Sequence, residues 1–255
     1  MRPLVDSHVH LDHAAFDTDR SVVIERAADI GIHHMIVPAV DIESWSRIKE
    51  LCTGRSGIHP AYGLHPVYRA RHAPEYLDRL EAWLADGSAV AVGEIGLDFH
   101  LSEADRDQQR FYFMNQLQLA QARGLPVIVH ARQALEEVSL TLRRCKGLRG
   151  VVHSFSGSEQ QARQLWDLGF HIGIGGPVTY ERAQRLRRIV AKMPIEFLLL
   201  ESDAPDQPDA AHRGQRNEPA RVTEVLRCVA ELRGESQQHV ADATTANARH
   251  LFGLG

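Results

Sequence analysis

The apolar positions of this chain fall into short continuous runs, each followed by a longer stretch in which apolar residues recur every three or four positions. The runs predict strands at Leu4–Asp6, Met35–Val40, Ile58–Leu64, Ala89–Gly93, Leu125–Val129, Gly150–Val152, Phe170–Ile174 and Ile195–Leu200. The periodic stretches predict helices at Thr18–Ile30, Ile42–Cys52, Pro74–Ala85, Glu103–Arg123, Gln133–Arg144, Glu159–Leu168 and Glu181–Lys192. Two more, Glu218–Arg233 and Gln237–Phe252, close the chain. Wholly apolar runs such as Val127–Val129 suit parallel strands covered on both faces. Eight strand–helix units follow one another with no linker rich in Pro, Gly or Ser, so residues 1–255 read as a single domain. The pattern predicts an α/β fold, a (β/α)8 TIM barrel. A doubly wound open sheet is the competing architecture, but it usually carries a glycine-rich turn after its first strand. Here that strand runs into Asp6-Ser7-His8-Val9-His10, without glycine.

Composition narrows the classes. Of 255 residues, 44% are hydrophobic and 24% charged, which excludes disordered, collagen-like and low-complexity chains. No apolar run approaches the ~18 residues of a membrane helix, so no membrane partner is expected. The N-terminus is polar by Asp6, and no signal peptide is expected. Cys52, Cys145 and Cys228 form no CxxC pair, which suits a reducing, cytoplasmic location. A net charge of −4 lacks the basic face of a protein that coats duplex DNA. A monomer is expected. The unusual count is 15 histidines, and their placement carries the chemistry.

His8 and His10 are two apart at the end of the first strand, so both imidazoles point the same way. His65 follows the third predicted strand, Glu94 the fourth, His130 the fifth and His153 the sixth; Asp203 lies just beyond the eighth. In a barrel these ends converge on the face where active sites are built. Imidazole nitrogens and carboxylate oxygens are ligands for zinc and other divalent ions. Four histidines with Glu94 and Asp203 exceed the needs of one tetrahedral ion and suffice for two sharing a bridging carboxylate. Taken singly, a histidine after a strand is more often a cap or surface residue, and His13, His33, His34, His72, His171, His239 and His250 are read as solvent-facing, capping or packing residues. His100 and His212 stay open. The Gly173–Gly176 stretch lacks GxGxxG spacing and is read as close backbone packing.

The same residues resemble the motifs of the TatD family of metal-dependent deoxyribonucleases and hydrolases. The matching segments are Asp6-Ser7-His8-Val9-His10-Leu11-Asp12, Gly63-Leu64-His65-Pro66 and Gly93-Glu94-Ile95-Gly96-Leu97-Asp98. Further along come Leu125–Arg132, His153–Ser158, Leu200-Glu201-Ser202-Asp203-Ala204-Pro205, Asn217-Glu218-Pro219 and Asn247-Ala248-Arg249. Val9, Ala131 and Ser202 stand where the family often has cysteine, serine and threonine, and none of these changes removes a ligand. The resemblance implies a barrel of the metal-dependent hydrolase type with two divalent ions (Mg, Mn or Zn). His8, His10 and Asp203 would hold the first ion and His130 and His153 the second, with Glu94 bridging.

The expected activity is a 3′-5′ exodeoxyribonuclease, cleaving phosphodiesters at single-stranded DNA 3′ ends with hydroxide activated by two metals. Asp203 would be general base as well as ligand, and Glu201 would orient a metal-bound histidine. His65 and Arg132 are assigned to substrate phosphate, with Arg213 or Arg216 as further cations aimed inward. The alternative is hydrolysis of another small ester, amide or phosphate. A non-catalytic metal-binding protein is disfavoured, since no ligand is missing.

Overall fold

Valine, isoleucine and leucine dominate the short runs, and such residues favour extended backbone covered on both faces. The structure is a computed structural model that describes residues 4–100 and 106–255. Strands β1 (Leu4–Asp6), β2 (Ile32–Pro38), β3 (Ile58–Tyr62) and β4 (Ala91–Asp98) alternate with helices α1 (Arg20–Asp29), α2 (Ile42–Cys52) and α3 (Glu75–Leu84). After α4 (Arg106–Arg123) come β5 (Val127–Arg132), α5 (Leu135–Arg144), β6 (Gly150–Val152) and α6 (Glu159–Asp167). The chain ends with β7 (Phe170–Ile174), α7 (Gln184–Lys192), β8 (Leu198–Leu200), α8 (Val222–Arg233) and α9 (Gln237–Phe252). The eight strands form one parallel sheet in sequence order, the (β/α)8 barrel that the pattern predicts.

The barrel closes just above β1 and β8. Ser7 N–H donates to Leu200 O at 3.0 Å, Asp203 N–H to His8 O at 2.9 Å, and His10 N–H to Ala204 O at 2.8 Å. The buried Asp6 carboxylate staples the same seam, accepting Ser202 N–H at 2.9 Å and Ser202 Oγ–H at 2.6 Å. Inside the barrel, Val5, Ile36, Ala61, Ala91, Ile128, Val151 and Leu199 meet in one cluster, and Leu251 and Phe252 of α9 plug its lower end. A larger cluster fills the space between strands and helices. No helix among the described residues is long and apolar enough to cross a membrane.

Several element boundaries differ from the expectations. β4 runs on to Asp98 instead of stopping at Gly93, because its pairing with β5 continues to Asp98 opposite Arg132. His130 therefore sits within the ladder opposite Gly96, whereas Glu94 lies at a register shift between Val92 and Ile95, its N–H donated to Ala39 O at 2.9 Å. β8 is shortened to Leu198–Leu200, with Ile195–Phe197 forming a 3₁₀ turn. The expected start of α4 at Glu103 lies outside the described residues.

Candidate metal centre

Each polar side chain of the centre is delivered by a strand end and held from behind by another element. His8 and His10 share a face of the extended segment after β1, with the intervening Val9 fully buried in the outer core. Glu94 rises from β4. His130 comes from β5, and Gly96 beside it is what lets the two strands approach. A Cβ at Gly96 would lie 2.0 Å from His130 O, and its φ of +143° suits only glycine. Helix α4 braces the same region through two buried glutamines. Gln109 bonds both backbone N and O of Asp98, at 2.8 and 2.9 Å, and Gln116 does the same for Leu64, at 2.7 and 3.1 Å. The latter pair sets the backbone that presents His65.

Glu94 is the centre, and its two oxygens face different partners. Oε2 lies 3.2 Å from His8 Nε2 and 3.6 Å from His10 Nε2. Asp203 Oδ1 completes that side, 3.6 Å from His8 Nε2 and 3.7 Å from His10 Nε2. Oε1 lies 2.8 Å from His153 Nε2, 2.9 Å from His65 Nε2 and 3.0 Å from His130 Nδ1. Although three imidazole nitrogens crowd this buried oxygen, none meets hydrogen-bond geometry with it. His8 Nε2 and His10 Nε2 also face each other at 3.2 Å. Lone pairs converging on shared points, in an oxygen and nitrogen donor set, are what divalent cations such as zinc or manganese require. His8-His10-Glu94 and His65-Glu94-His130 each bring their ligand atoms within 4.8 Å of one another. The residues fit metal ions.

The electrostatics follow from burial among these charges. Burial alone would raise the Glu94 pKa, but His153, His65 and His8 hold it well below the usual carboxylate value. Burial likewise opposes a proton on His153, yet the carboxylates of Glu94, Asp203 and Glu201 outweigh it and push its pKa up to about 10. His65 responds the other way, its pKa lowered by burial to about 4. His130 Nε2 is 3.0 Å from Asp98 Oδ2. An Nε2–H donated there leaves the Nδ1 lone pair turned toward Glu94.

The structure brings His8, His10, Glu94, His130, His153 and Asp203 together, and it modifies other expectations. His65 is buried but lines the cavity, with its Nε2 2.9 Å from Glu94 Oε1, so it stands beside the proposed ligands as well as facing the substrate space. Glu201 Oε1 is 3.8 Å from His153 Nδ1, inside ion-pair range but too long for a hydrogen bond; it accepts Ser154 N–H at 2.6 Å instead. The carboxylate fits because β7 has Gly173 beside it: a Cβ there would lie 2.1 Å from Glu201 Oε2. Arg216 does not point inward. It is held by Asp19, with two contacts of 2.7 Å, and it stacks on Phe16. Neither it nor Arg213 lines the cavity. Four residues have no role in the sequence reading: Asp98, the α4 glutamines Gln109 and Gln116, and Gln207, whose Nε2 donates to Asp203 Oδ2 at 2.5 Å. Asp98 was recoverable, since Glu94 and Asp98 are four apart on a strand and share a face.

Above the centre opens a cavity of about 1180 Å³. Arg132 reaches its rim from the end of β5, exposed to solvent.

These motifs and this geometry can be compared with known proteins. The model of TatD-related DNases matches residues 5–253. The chain belongs to the TatD family. The uncharacterised metal-dependent hydrolase YjjV of Escherichia coli is 39% identical over 253 residues, spanning 98% of each chain. The 3′-5′ ssDNA/RNA exonuclease TatD of Klebsiella pneumoniae is 33% identical over 260 residues, also spanning 98% of each. The crystal structure of YjjV superposes with a TM-score of 0.95 at 37% identity, covering 99% of this chain and 98% of that one. An organophosphorus hydrolase variant from Deinococcus radiodurans, with a TM-score of 0.73 at 15% identity, shares the barrel fold.

Proposed function

We propose that this TatD-family, metal-dependent hydrolase cleaves phosphodiesters at the 3′ ends of single-stranded DNA. The observation that carries the reading is Glu94, one carboxylate whose oxygens face two separate donor sets at the floor of a cavity. His8, His10 and Asp203 would hold one ion and His130 and His153 the other, with His65 joining the second set through its approach to Glu94 Oε1. Two divalent ions (Mg, Mn or Zn) would supply Lewis acidity and lower the pKa of water near neutrality. Asp203 Oδ1 faces His8 and His10, so Oδ2 is the oxygen that accepts the proton of the attacking water. Gln207 shares that oxygen and sets the carboxylate's angle. The water oxygen attacks phosphorus as its proton passes to Asp203, the bond to the 3′ oxygen breaks, that oxygen takes up a proton from solvent, and Asp203 returns its own proton to solvent. Arg132 steadies the phosphate with its fork of donors. A pit of this kind admits a strand end and excludes a duplex. The similarity to a relative named as a 3′-5′ ssDNA/RNA exonuclease supports the same substrate.

The test is a gel of 5′-labelled oligonucleotide with protein loaded with Mg²⁺ or Mn²⁺, in single- and double-stranded form. A ladder shortening from the 3′ end of the single strand is expected. No cleavage beside rapid turnover of a carboxylic ester or amide would replace this reading.

A further inference from the structure

The rim of the cavity is electrostatically lopsided. On the side of β1 to β3, its arginines are neutralised: Arg47 pairs with Asp12 at 3.2 Å and Arg71 with Asp41 at 3.0 Å. On the side of β5 to β7 stand Arg132, Arg182 and Arg185, all exposed and none paired with a carboxylate among the described residues. Arg185 Nη2 donates to Ser156 O at 2.9 Å, which ties the first turn of α7 to the loop that leaves His153. Three residues of chain from His153 to Ser156 span at most ~10–11 Å, so this contact lies close to the metal centre. Arg182 leans over the Tyr180 ring, 5.3 Å from its centroid. Helix α7 adds to the same sign, since its N-cap, Ala183, provides no side-chain cap and its first turn has no acidic residue. Its unpaired N–H groups and its dipole therefore contribute further positive potential there.

Building on the reading of the site as a phosphodiesterase, we infer that Arg182 and Arg185 form a phosphate track on the β7–α7 edge. The track holds backbone phosphates one or more nucleotides away from the scissile one. The strand therefore leaves the cleavage site over β6 and β7, not over β1 to β3, where Arg47 and Arg71 are already engaged by Asp12 and Asp41. Guanidinium groups suit this task because they grip phosphate oxygens with a planar fork and carry no base preference. A small diester has no remote phosphate and does not feel the track.

The experiment compares the wild-type protein with the double variant Arg182→Ala/Arg185→Ala, and with Arg163→Ala on the outer face of α6 as control. Binding of a fluorescent eight-nucleotide oligothymidylate is followed by anisotropy across a salt series, and cleavage of the same oligonucleotide and of bis(p-nitrophenyl) phosphate by initial rates. The double variant should bind the oligonucleotide about tenfold or more weakly, with a salt slope reduced by ~1.4 for two lost single-strand phosphate contacts. Its turnover of the small diester and its metal content should match wild type. Unchanged affinity and slope in the double variant, while wild type binds and cleaves the oligonucleotide, would overturn the track alone. Wild-type protein that neither binds nor cleaves the oligonucleotide would overturn the track together with the substrate reading.

Discussion

Replacing Asp98 by asparagine tests whether the centre is tuned from behind its ligands. Asp98 is 1% exposed, and its Oδ2 sits 3.0 Å from His130 Nε2. As an anion it fixes the tautomer with hydrogen on Nε2, leaving Nδ1 free to bind an ion, and it raises the basicity of that nitrogen. Asparagine keeps the shape and can still accept the bond from His100 N–H, which Asp98 Oδ1 receives at 3.0 Å. What it loses is the charge. A hydrogen bond to a charged group is worth ~1.5–3 kcal/mol, which converts to a ~10–150-fold loss. That matches the ~10–100-fold typical when a carboxylate behind a metal-bound histidine is removed. The assay is calorimetric titration of apo-protein with Mn²⁺ or Zn²⁺, beside circular dichroism to confirm folding. One binding step, that of the ion held by His130, should shift by that factor while thermal unfolding of the apo-protein stays close to wild type. A folded Asp98→Asn protein with metal affinity within twofold of wild type would refute the reasoning.

Asp203→Asn should keep the fold and cut turnover by the ~10²–10⁴-fold expected for lost acid–base catalysis, measured at saturating metal; wild-type turnover would remove Asp203 from the reaction. Gly173→Ala forces a methyl group against Glu201, and overpacking of ~1–3 kcal/mol in a chain of this size lowers Tm by roughly 2–12 °C; an unchanged scan would contradict the fit of Glu201 against β7. His34 and His59 face each other across β2 and β3 at 2.9 Å, and burial lowers both pKa values, that of His59 to about 4. The unfolded chain then binds more protons between pH 6.5 and 4, so this contribution to stability is complete above pH 6.5 and is lost as pH falls toward 4. Tm plotted against pH should fall less steeply for His59→Gln than for wild type in that window, and parallel curves would contradict the assignment.

Much of this centre could be read from the chain because its residues mark strand ends. In a parallel barrel, a histidine or carboxylate just past an apolar run has only one face on which to stand. That argument places His8, His10, His153 and Asp203 directly. It also places Glu94 and His130, although both lie inside longer strands than expected. Gly93 reads as a strand end when only local punctuation is considered, whereas the pairing of β4 with β5 carries the strand on to Asp98. What the chain does not display is contact between distant segments. The depth of His65 follows from Gln116 of α4 gripping Leu64, and the inward-facing role of Arg216 fails because Asp19 captures its guanidinium on the outer side. Gly173 shows only as a small residue in a strand until Glu201 is seen beside it. The motif asparagines are structural clamps: Asn217 Nδ2 donates to Ser202 O at 2.8 Å, and Asn247 Nδ2 to Ile195 O at 2.7 Å.

The central claim is that Glu94 joins two ion sites, and a crystal grown with Mn²⁺ tests it most directly. Anomalous difference density collected near the manganese edge should show two peaks ~3.5–4 Å apart, one toward Glu94 Oε2 with His8, His10 and Asp203, the other toward Oε1 with His130 and His153. A single peak, or two peaks neither of which touches Glu94, would contradict it.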